Sequence, residues 1–426
     1  MDRLGMHGGE KAIPEPLPGG PGGGAGVSMI DEREVAAAAS VLRSGKLFRF
    51  HPESEVRAFE NEAAEWIGCQ HALMVNSGTS ALICALAGAG IGPGDEVIVP
   101  GYTYIATPAA VVAVGAVPVI AEIDLSLGLD PADVKRKITP QTRAVIPVHM
   151  QGVPCRIDAL KQVATEHGLL MIEDCCQCIG GRYHGQVVGT FGVAGAWSLN
   201  YFKIITCGEG GLVFTDDPLL YERACFAADP ALPMWMRESI PVDGWIARPF
   251  SAQCYRPSEL LGSIARVQLS KLDSILAHTR RLKAAFLAHL NAPQSYDRQA
   301  VDDPDGDCGI SAAIIVKEGV SPSEFARALS AEGLPCGTAH NDGFPDRHIY
   351  RYWDSILEKN AHHSSAAPWN HPAYHGSVEY SPDMCPATSQ PARLVLAYSM
   401  PQQKLPEPYT GSASTAIRTM NTPDAF

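Results

Sequence analysis

From residue 31 to residue 200 the chain repeats one pattern, an amphipathic helix followed by a short apolar strand. Two helical segments end at glycine, "DEREVAAAASVLRSG" at Gly45 and "EVRAFENEAAEWIG" at Gly68. The strand-like segments include "HALMVN", "DEVIVP", "VPVIAEID", "RAVIPVHM", "LLMIED" and "GAWSLN". This alternation is typical of an α/β fold with a mostly parallel central sheet. In such a sheet, ligands collect at the edge where the strands end.

The pattern changes after residue 245. A long helical segment over 256–290 leads to a strand, a helix and a second strand over 310–340, which predict a smaller C-terminal α/β domain. The first 28 residues are rich in Pro and Gly and predict a disordered tail. We therefore expect a tail over 1–28, a large domain over 29–245 and a small domain over 246–426.

Composition excludes several classes of protein. The formal net charge is -13 and the basic residues are scattered, so the chain lacks the basic patch of a nucleic-acid-binding protein. The longest apolar run, over 107–123, is too short for a membrane span and is broken by Gly115 and Pro118. The N-terminus lacks the apolar core of a signal peptide, and most of the 12 cysteines stand alone. These features predict a reduced, cytoplasmic protein without a membrane or nucleic-acid partner.

The cysteine cluster "EDCCQCIGG" allows two interpretations. Cys175 and Cys178 have the CxxC spacing of a redox or zinc site. No second CxxC or CxxH pair completes four ligands, and small polarizable residues also suit the lining of a pocket. We predict no metal here.

The segment "NSGTSAL" brings Ser77, Gly78 and Thr79 to the start of a helix. Backbone N–H groups and hydroxyls at such a position bind anions, phosphate among them. A simple Ser/Thr helix cap with glycine in the turn explains the same residues.

Two further positions carry charge in apolar surroundings. Asp174 ends a strand that is apolar on both faces, where a carboxylate needs a cation or several hydrogen-bond donors to stay ionised; a protonated ring nitrogen and a nearby arginine both qualify as the cation. Lys203 stands in "SLNYFKIITCGEGG", among aromatic and branched residues and before a glycine turn. It is either a nucleophile that forms a Schiff base or a lysine that extends along its stem to solvent.

Together the three features suit one cofactor. Pyridoxal phosphate has a phosphate, a pyridine nitrogen and an aldehyde, and a helix start, a carboxylate and a lysine can bind one each. A ring that stacks on the cofactor is also needed, and "PGYTYIAT" offers Tyr102 and Tyr104.

At the level of whole motifs, the chain resembles the DegT/StrS family of fold-type I, pyridoxal-phosphate-dependent aminotransferases, which act on keto-sugars and keto-cyclitols. The motifs that carry the resemblance run from about residue 29 to the C-terminus and include "SGTSAL", "GPGDEVIVPGYTYIAT", "ITPQTRAVIPVHMQG", "IEDCCQCIGGRYHG", "SLNYFKIITCGEGG" and "YRPSE". The resemblance implies a homodimer with active sites at the subunit interface and a ping-pong transamination.

The resemblance also implies a role for each matching residue. Lys203 is similar to the Schiff-base lysine and Asp174 to the partner of the pyridinium nitrogen. The other positions that match are Gln177 near the cofactor ring, Tyr102 as the stacking aromatic, Gly78, Thr79 and Ser198 at the phosphate, and Asn200 as a supporting or substrate contact.

Two positions depart from the family pattern. Cys254 stands where the family usually has an asparagine that reaches the phosphate across the dimer interface, and Ile179 replaces a frequent histidine. The motifs around Asp174 and Lys203 favour the branch that aminates inososes with glutamine or glutamate. A sugar dehydratase on the same fold would carry His in place of Lys203, and a non-catalytic sensor that binds the cofactor is the other alternative.

Overall fold

The computed structural model describes residues 5–11, 23–230, 245–288, 296–334, 336–338, 340–341, 344–363, 365–388 and 394–398. The α-helices in this part of the chain are α1 Ala25–Ser28, α2 Glu32–Ser44, α3 Glu55–Ile67, α4 Gly78–Gly88, α5 Ala106–Ala113, α6 Pro131–Lys137, α7 Ile157–His167, α8 Pro218–Ala228, α9 Glu259–Ala288, α10 Pro322–Ala331 and α11 Asp354–Leu357. The strands are β1 His71–Val75, β2 Glu96–Pro100, β3 Val117–Ala121, β4 Thr142–Val145, β5 Leu170–Asp174, β6 Arg182–Tyr183, β7 Gln186–Val187, β8 Ala194–Ser198, β9 Gly211–Thr215, β10 Tyr296–Arg298, β11 Ser311–Val316, β12 Cys336–Thr338, β13 His340–Asn341, β14 Phe344–Pro345 and β15 Leu394–Tyr398.

A seven-stranded sheet forms the centre of the fold, in the order β1-β9-β8-β5-β4-β2-β3. The pairs from β8 to β3 are parallel, whereas β9 runs antiparallel to both of its neighbours. Six of the seven strands therefore point the same way, which confirms the predicted mostly parallel sheet. The strand β9 was not predicted as a separate element, because its sequence follows the glycine turn after Lys203 directly.

The helix ends that the glycines predicted are confirmed. Asp31 caps α2, where its carboxylate accepts the Arg33 N–H and Glu34 closes a capping box. Gly45 and Gly68 end α2 and α3 in the left-handed conformation that glycine adopts without strain.

The C-terminal half divides between two cores. The four-stranded sheet β10-β11-β15-β12 packs with α10 around buried Tyr296, Ile314 and Phe325. The long helix α9, by contrast, packs on α2 and α3, and its buried residues join the core on that face of the large sheet. Tyr350 and Trp353 join the core on the other face. The boundary at residue 245 stays a prediction, but part of the segment after it completes the packing of the large sheet.

The structure differs from the predicted N-terminal tail at residues 23–28. Here α1 is buried against α9, and the N–H groups of Gly24 and Gly26 donate to the carbonyls of Tyr201 (3.0 Å) and Lys203 (3.3 Å). A Cβ at Gly24 would lie 2.3 Å from the Lys203 carbonyl oxygen. The glycines thus allow a close approach between two backbones rather than disorder. Residues 5–11 include a 3₁₀ turn, Gly5–His7, that contacts α10, and the rest of the predicted tail lies outside the described residues.

Among the residues that the structure describes, no helix has the length and apolar character needed to cross a membrane.

Candidate functional site

Four loops that leave the same edge of the central sheet build the candidate site. Because β9 is antiparallel to both β1 and β8, the strands β1, β2, β5 and β8 all end at this edge. The loops after them carry the four predicted groups: the start of α4, the "YTYIAT" segment, Asp174 with Gln177, and Ser198 with the Lys203 loop. The prediction that Asp174 stands at the ligand-binding edge of a parallel sheet agrees with this arrangement, and the structure adds the other three groups to the same edge.

The start of α4 combines a helix cap with two unused donors. The Ser77 hydroxyl accepts the Ser80 N–H at 3.1 Å and lies 2.8 Å from the Ser80 hydroxyl. The N–H groups of Gly78 and Thr79 have no acceptor among the described residues. The structure therefore shows the helix cap, and the cap leaves two donors at the positive end of the helix; binding of an anion there stays a prediction.

Close backbone approach shapes the same corner. A Cβ at Gly78 would lie 2.6 Å from the Ser198 Cβ and 3.1 Å from the Cys176 Sγ. A Cβ at Gly211 would lie 2.2 Å from the Ser77 carbonyl oxygen. Glycine at both positions lets the end of β8 and the start of β9 meet the start of α4, which places the Ser198 hydroxyl beside the helix donors.

Asp174 ends β5 with 4% of its surface exposed. One carboxylate oxygen accepts the Cys176 N–H at 3.0 Å, and the other accepts the Thr107 hydroxyl at 2.8 Å. No basic side chain among the described residues forms an ion pair with this carboxylate. The arginine pairing that was open on sequence is therefore absent from this part of the chain, and the carboxylate is free to bind a cation.

Lys203 lies in the tight loop between β8 and β9. Its N–H donates to the Asn200 carbonyl at 2.9 Å, and the N-terminal segment binds its carbonyl from outside. Burial raises the pKa of the partly buried Cys176 thiol well above its usual range; the Asp174 carboxylate adds to this rise and the Lys203 ammonium opposes it. Asp174 and Lys203 thus act electrostatically on the same thiol, at the floor of the site.

The two candidate aromatic rings have opposite surroundings. Tyr102 is 1% exposed, and its hydroxyl accepts the side-chain amide of Gln151 at 3.2 Å. Tyr104 is 50% exposed, and its ring centre lies 5.3 Å from that of His348. The buried ring of Tyr102 leaves no open face for a cofactor, so the structure does not support its predicted stacking role. The physical reason is the Gln151 side chain and the segment around Ile349, which enclose it.

Gln177 is partly buried and follows directly after Cys176, whose N–H binds Asp174. Its side-chain oxygen accepts the Gln151 N–H at 3.3 Å, and Gln151 adopts a positive φ of 60°. Gln151 also bonds to Ser311, the first residue of β11, which joins this loop to the smaller sheet.

Asn200 forms hydrogen bonds within the chain, whereas Cys254 lies at the surface. The Asn200 amide donates to Glu209 at 2.9 Å and its oxygen accepts the Phe202 N–H at 3.1 Å, so the side chain supports the Lys203 loop. Cys254 is exposed. The carbonyl of the next residue, Tyr255, accepts a hydrogen bond from the N–H of Asn76, which lies just before α4.

The cysteines of the CxxC motif do not pair with one another. The Cys175 thiol donates to the Glu173 carbonyl, whereas Cys178 lies 3.6 Å from Cys308. His149, Glu173 and Cys175 come close enough to hold an ion, but Glu173 already accepts three backbone N–H groups and the Nδ1 of His149 accepts another. These groups form a buried hydrogen-bonded network, in which His149 orients the strand end.

Sequence analysis missed two threonines and one histidine at this edge. Thr103 and Thr107 lie in the same segment as the two tyrosines, and their i, i+4 spacing next to a helix start was the available signal. His348 comes from the irregular segment after residue 342, for which no pattern predicted a position.

Comparison with known proteins gives a family match over most of the chain. The model of the DegT/DnrJ/EryC1/StrS aminotransferase family matches residues 28–373. Among curated proteins, the chain is 38% identical over 276 residues to the L-glutamine:2-deoxy-scyllo-inosose aminotransferase of Streptomyces kanamyceticus. That alignment covers 62% of this chain and 63% of the length of the relative.

Two solved structures are similar over nearly their whole length. The crystal structure of 3-amino-5-hydroxybenzoic acid synthase superposes with a TM-score of 0.78 at 26% identity, covering 94% of this chain and 98% of that one. The structure of DesV from S. venezuelae in complex with a ketimine intermediate gives a TM-score of 0.72 at 31% identity, with coverages of 92% and 94%. The predicted fold class, fold-type I with a large and mostly parallel sheet, agrees with these neighbours.

Proposed function

We propose, from the premise that this chain belongs to the DegT/DnrJ/EryC1/StrS aminotransferase family, that it is a pyridoxal-phosphate-dependent aminotransferase. The substrates we propose are glutamine or glutamate as amino donor and a keto-cyclitol of the inosose kind, or a keto-sugar, as acceptor. The relative from Streptomyces kanamyceticus, whose name includes glutamine and an inosose, supports this choice.

One observation carries the proposal, namely the convergence of three chemically different groups at a single sheet edge. The α4 donors with Ser198 form an anion cradle, Asp174 offers a carboxylate without a basic partner among the described residues, and Lys203 supplies an amine. The close approach of Gly78 to Ser198, which a Cβ would block, brings the helix donors and the Ser198 hydroxyl together, as binding of a phosphate requires.

Each group has a task in this account. Gly78, Thr79 and Ser198 hold the phosphate, and Asp174 binds the protonated ring nitrogen. Pyridoxal phosphate, when bound, supplies an aldehyde that takes the amino group and a ring that accepts the electrons of the broken bond. Lys203 holds the aldehyde end and provides the base that moves the proton from the α-carbon of the donor.

We assign ring stacking to Tyr104 in place of Tyr102. Tyr104 lies two residues further along the same loop and is half exposed, whereas Tyr102 is enclosed. The position of the ring beside His348 supports an open aromatic face at the mouth of the site. Gln177 borders the same edge from the other side, and Asn200 acts through the Lys203 loop.

The assembly and location of the protein complete the proposal. We propose that the protein is a cytoplasmic homodimer. Cys254 would lie at the dimer interface, at the position where the family usually has an asparagine. A size-exclusion and light-scattering measurement on the loaded protein tests the dimer directly.

A visible absorbance spectrum tests the activity. The purified full-length protein is mixed with pyridoxal phosphate, and the spectrum is recorded before and after addition of glutamine or glutamate. We expect a visible absorbance band at the wavelength typical of a cofactor bound to lysine, which colours the protein yellow. Addition of at least one of the two donors should then bleach this band. A band that persists with both donors would contradict transamination, and no band at all would contradict cofactor binding.

Product analysis then identifies the acceptor. Loaded protein, glutamine and 2-deoxy-scyllo-inosose are incubated, and the new amine is detected by mass spectrometry. Lys203→Ala, which keeps the loop backbone, should yield no amine, whereas Lys161→Ala on the exposed face of α7 should leave the yield unchanged.

A further inference from the structure

A chain of two buried hydroxyls ends on Asp174. Thr107, in the first turn of α5, lies with its hydroxyl 2.8 Å from one Asp174 oxygen, and Thr103 lies with its hydroxyl 2.8 Å from that of Thr107. Both threonines are 1% exposed. Water therefore does not reach these groups, and each hydroxyl must find its partners within the protein.

The direction of the protons in this chain follows from hydrogen-bonding capacity. An ionised carboxylate only accepts, so Thr107 donates its single proton to Asp174. The Thr107 oxygen is then an acceptor, and Thr103 donates to it. Hydrogen bonds aligned in this way polarise one another, so the bond to Asp174 is strengthened by the one behind it.

The second Asp174 oxygen is held by the Cys176 N–H at 3.0 Å. The carboxylate is thus bound on both oxygens, by two donors from different elements, α5 and the loop after β5. Such a pair fixes the plane of the carboxylate and leaves its remaining lone pairs for one further donor.

We infer that Thr107, supported by Thr103, is a positioning residue that aims the Asp174 carboxylate at the ring nitrogen of the cofactor. The inference rests on the proposed function, since it concerns how Asp174 recognises pyridoxal phosphate. The Thr107 hydroxyl would thus contribute to the affinity for pyridoxal phosphate. Without it, the Asp174 carboxylate keeps its charge but loses the orientation that faces the ring nitrogen.

The test compares three substitutions at the two threonines; the changes to Val nearly conserve the side-chain volume, and the change to Ser removes one methyl group. Thr107→Val removes the hydroxyl, Thr107→Ser keeps it, and Thr103→Val removes the donor behind it. Each full-length protein is freed of cofactor and titrated with pyridoxal phosphate, and the dissociation constant is read from the visible band. Because hydrogen bonds to charged groups are strong, we expect Thr107→Val to weaken binding about tenfold. Thr107→Ser should stay within about twofold, and Thr103→Val should fall between them.

A buried threonine elsewhere in the sheet serves as the matched control. Thr215 on β9 is 4% exposed and donates to the Val193 carbonyl at 2.7 Å. Thr215→Val should lower the midpoint of thermal unfolding without changing the affinity for pyridoxal phosphate. A general packing effect of valine would instead weaken binding in both proteins alike.

The outcomes separate the inference from the proposed function. If the unsubstituted protein binds pyridoxal phosphate and Thr107→Val binds it equally well, the positioning role is wrong while the proposed function stands. If the unsubstituted protein does not bind the cofactor, the proposed function itself fails. Should Thr107→Val not fold, Thr103→Val decides the question, because unchanged affinity in that variant contradicts a hydroxyl chain.

Discussion

Gly78 and Ser198 lie so close that a Cβ added at Gly78 would be 2.6 Å from the Ser198 Cβ. The two residues come from different elements, the start of α4 and the end of β8, separated by more than a hundred residues of sequence. Their approach brings the helix donors and the Ser198 hydroxyl into one small cradle. The proposed anion site therefore depends on the absence of a side chain at Gly78.

The first prediction concerns a side chain at this position. Gly78→Ala should weaken the binding of pyridoxal phosphate by roughly 5- to 150-fold, because the new Cβ forces β8 and α4 apart, and overpacking of this kind costs about 1 to 3 kcal/mol. Titration followed by visible absorbance measures the change. Gly92→Ala is the control, since its Cβ would meet its nearest atom, the Val114 carbonyl oxygen, at an ordinary 3.7 Å. Equal affinity in both variants would contradict the cradle.

The second prediction concerns the charge on Asp174. Asp174→Asn keeps the shape of the side chain but removes the negative charge that binds a protonated ring. We expect the rate of amino transfer from glutamine to fall roughly 100-fold or more, as when a preorganised electrostatic partner is lost. Steady-state kinetics with saturating cofactor measures this effect apart from weaker binding. A rate within about threefold of the unsubstituted protein would show that Asp174 does not act on the ring.

The third prediction separates the two tyrosines. Tyr104→Ala should weaken cofactor binding, because it removes the exposed ring, whereas Tyr104→Phe should retain most of it. Stacking of this kind contributes about 0.5 to 1.5 kcal/mol beyond area burial, so the expected loss is about tenfold at most from stacking alone. Fluorescence titration with pyridoxal phosphate is the measurement. If Tyr104→Ala binds normally, the stacking ring lies elsewhere.

The fourth prediction concerns stability and the N-terminal segment. Lys271 on α9 is buried, and its ammonium donates to the Glu34 carboxylate at 2.6 Å and to the Met29 carbonyl at 2.7 Å. Lys271→Met leaves Glu34 charged and buried, which costs about 3 to 5 kcal/mol when one member of a buried pair is removed. Urea unfolding of the apoprotein should show a loss in the free energy of unfolding of this order.

The matched control for this prediction lies on the same helix. Arg266 pairs with Glu55 and Glu62, but its side chain is largely exposed. Arg266→Met should cost less than about 1 kcal/mol, because exposed pairs contribute little. Similar losses for the two variants would mean that the burial of the Lys271 pair is not what stabilises the contact between α2 and α9.

Much of the fold was predictable because the signals were local. The capping residues Asp31 and Gly45 and the apolar strands such as Leu170–Asp174 each carry their information within a few positions. The position of Asp174 at the ligand-binding edge followed from its place at the end of an apolar strand, whereas Ser198 was indicated only by the family resemblance.

The remaining features depend on packing between distant segments. The N-terminal segment has the composition of a flexible tail, and only the approach of Gly24 and Gly26 to the Lys203 loop shows why glycine is needed at these two positions. Tyr102 and Tyr104 are equivalent on sequence, since their burial is decided by Gln151 and by the segment around Ile349. The hydrogen bond from Thr107 to Asp174 joins residues 67 positions apart, and no periodic pattern in the sequence predicts such a contact.

The central claim is that Lys203 is the residue that holds the cofactor. The most direct measurement is reduction of the loaded protein with borohydride, followed by proteolysis and mass spectrometry of the peptides. The account predicts one lysine with a reduced pyridoxyl group, Lys203, and no such peptide from Lys203→Ala. Modification of a different lysine in the unsubstituted protein, or none at all, would contradict it.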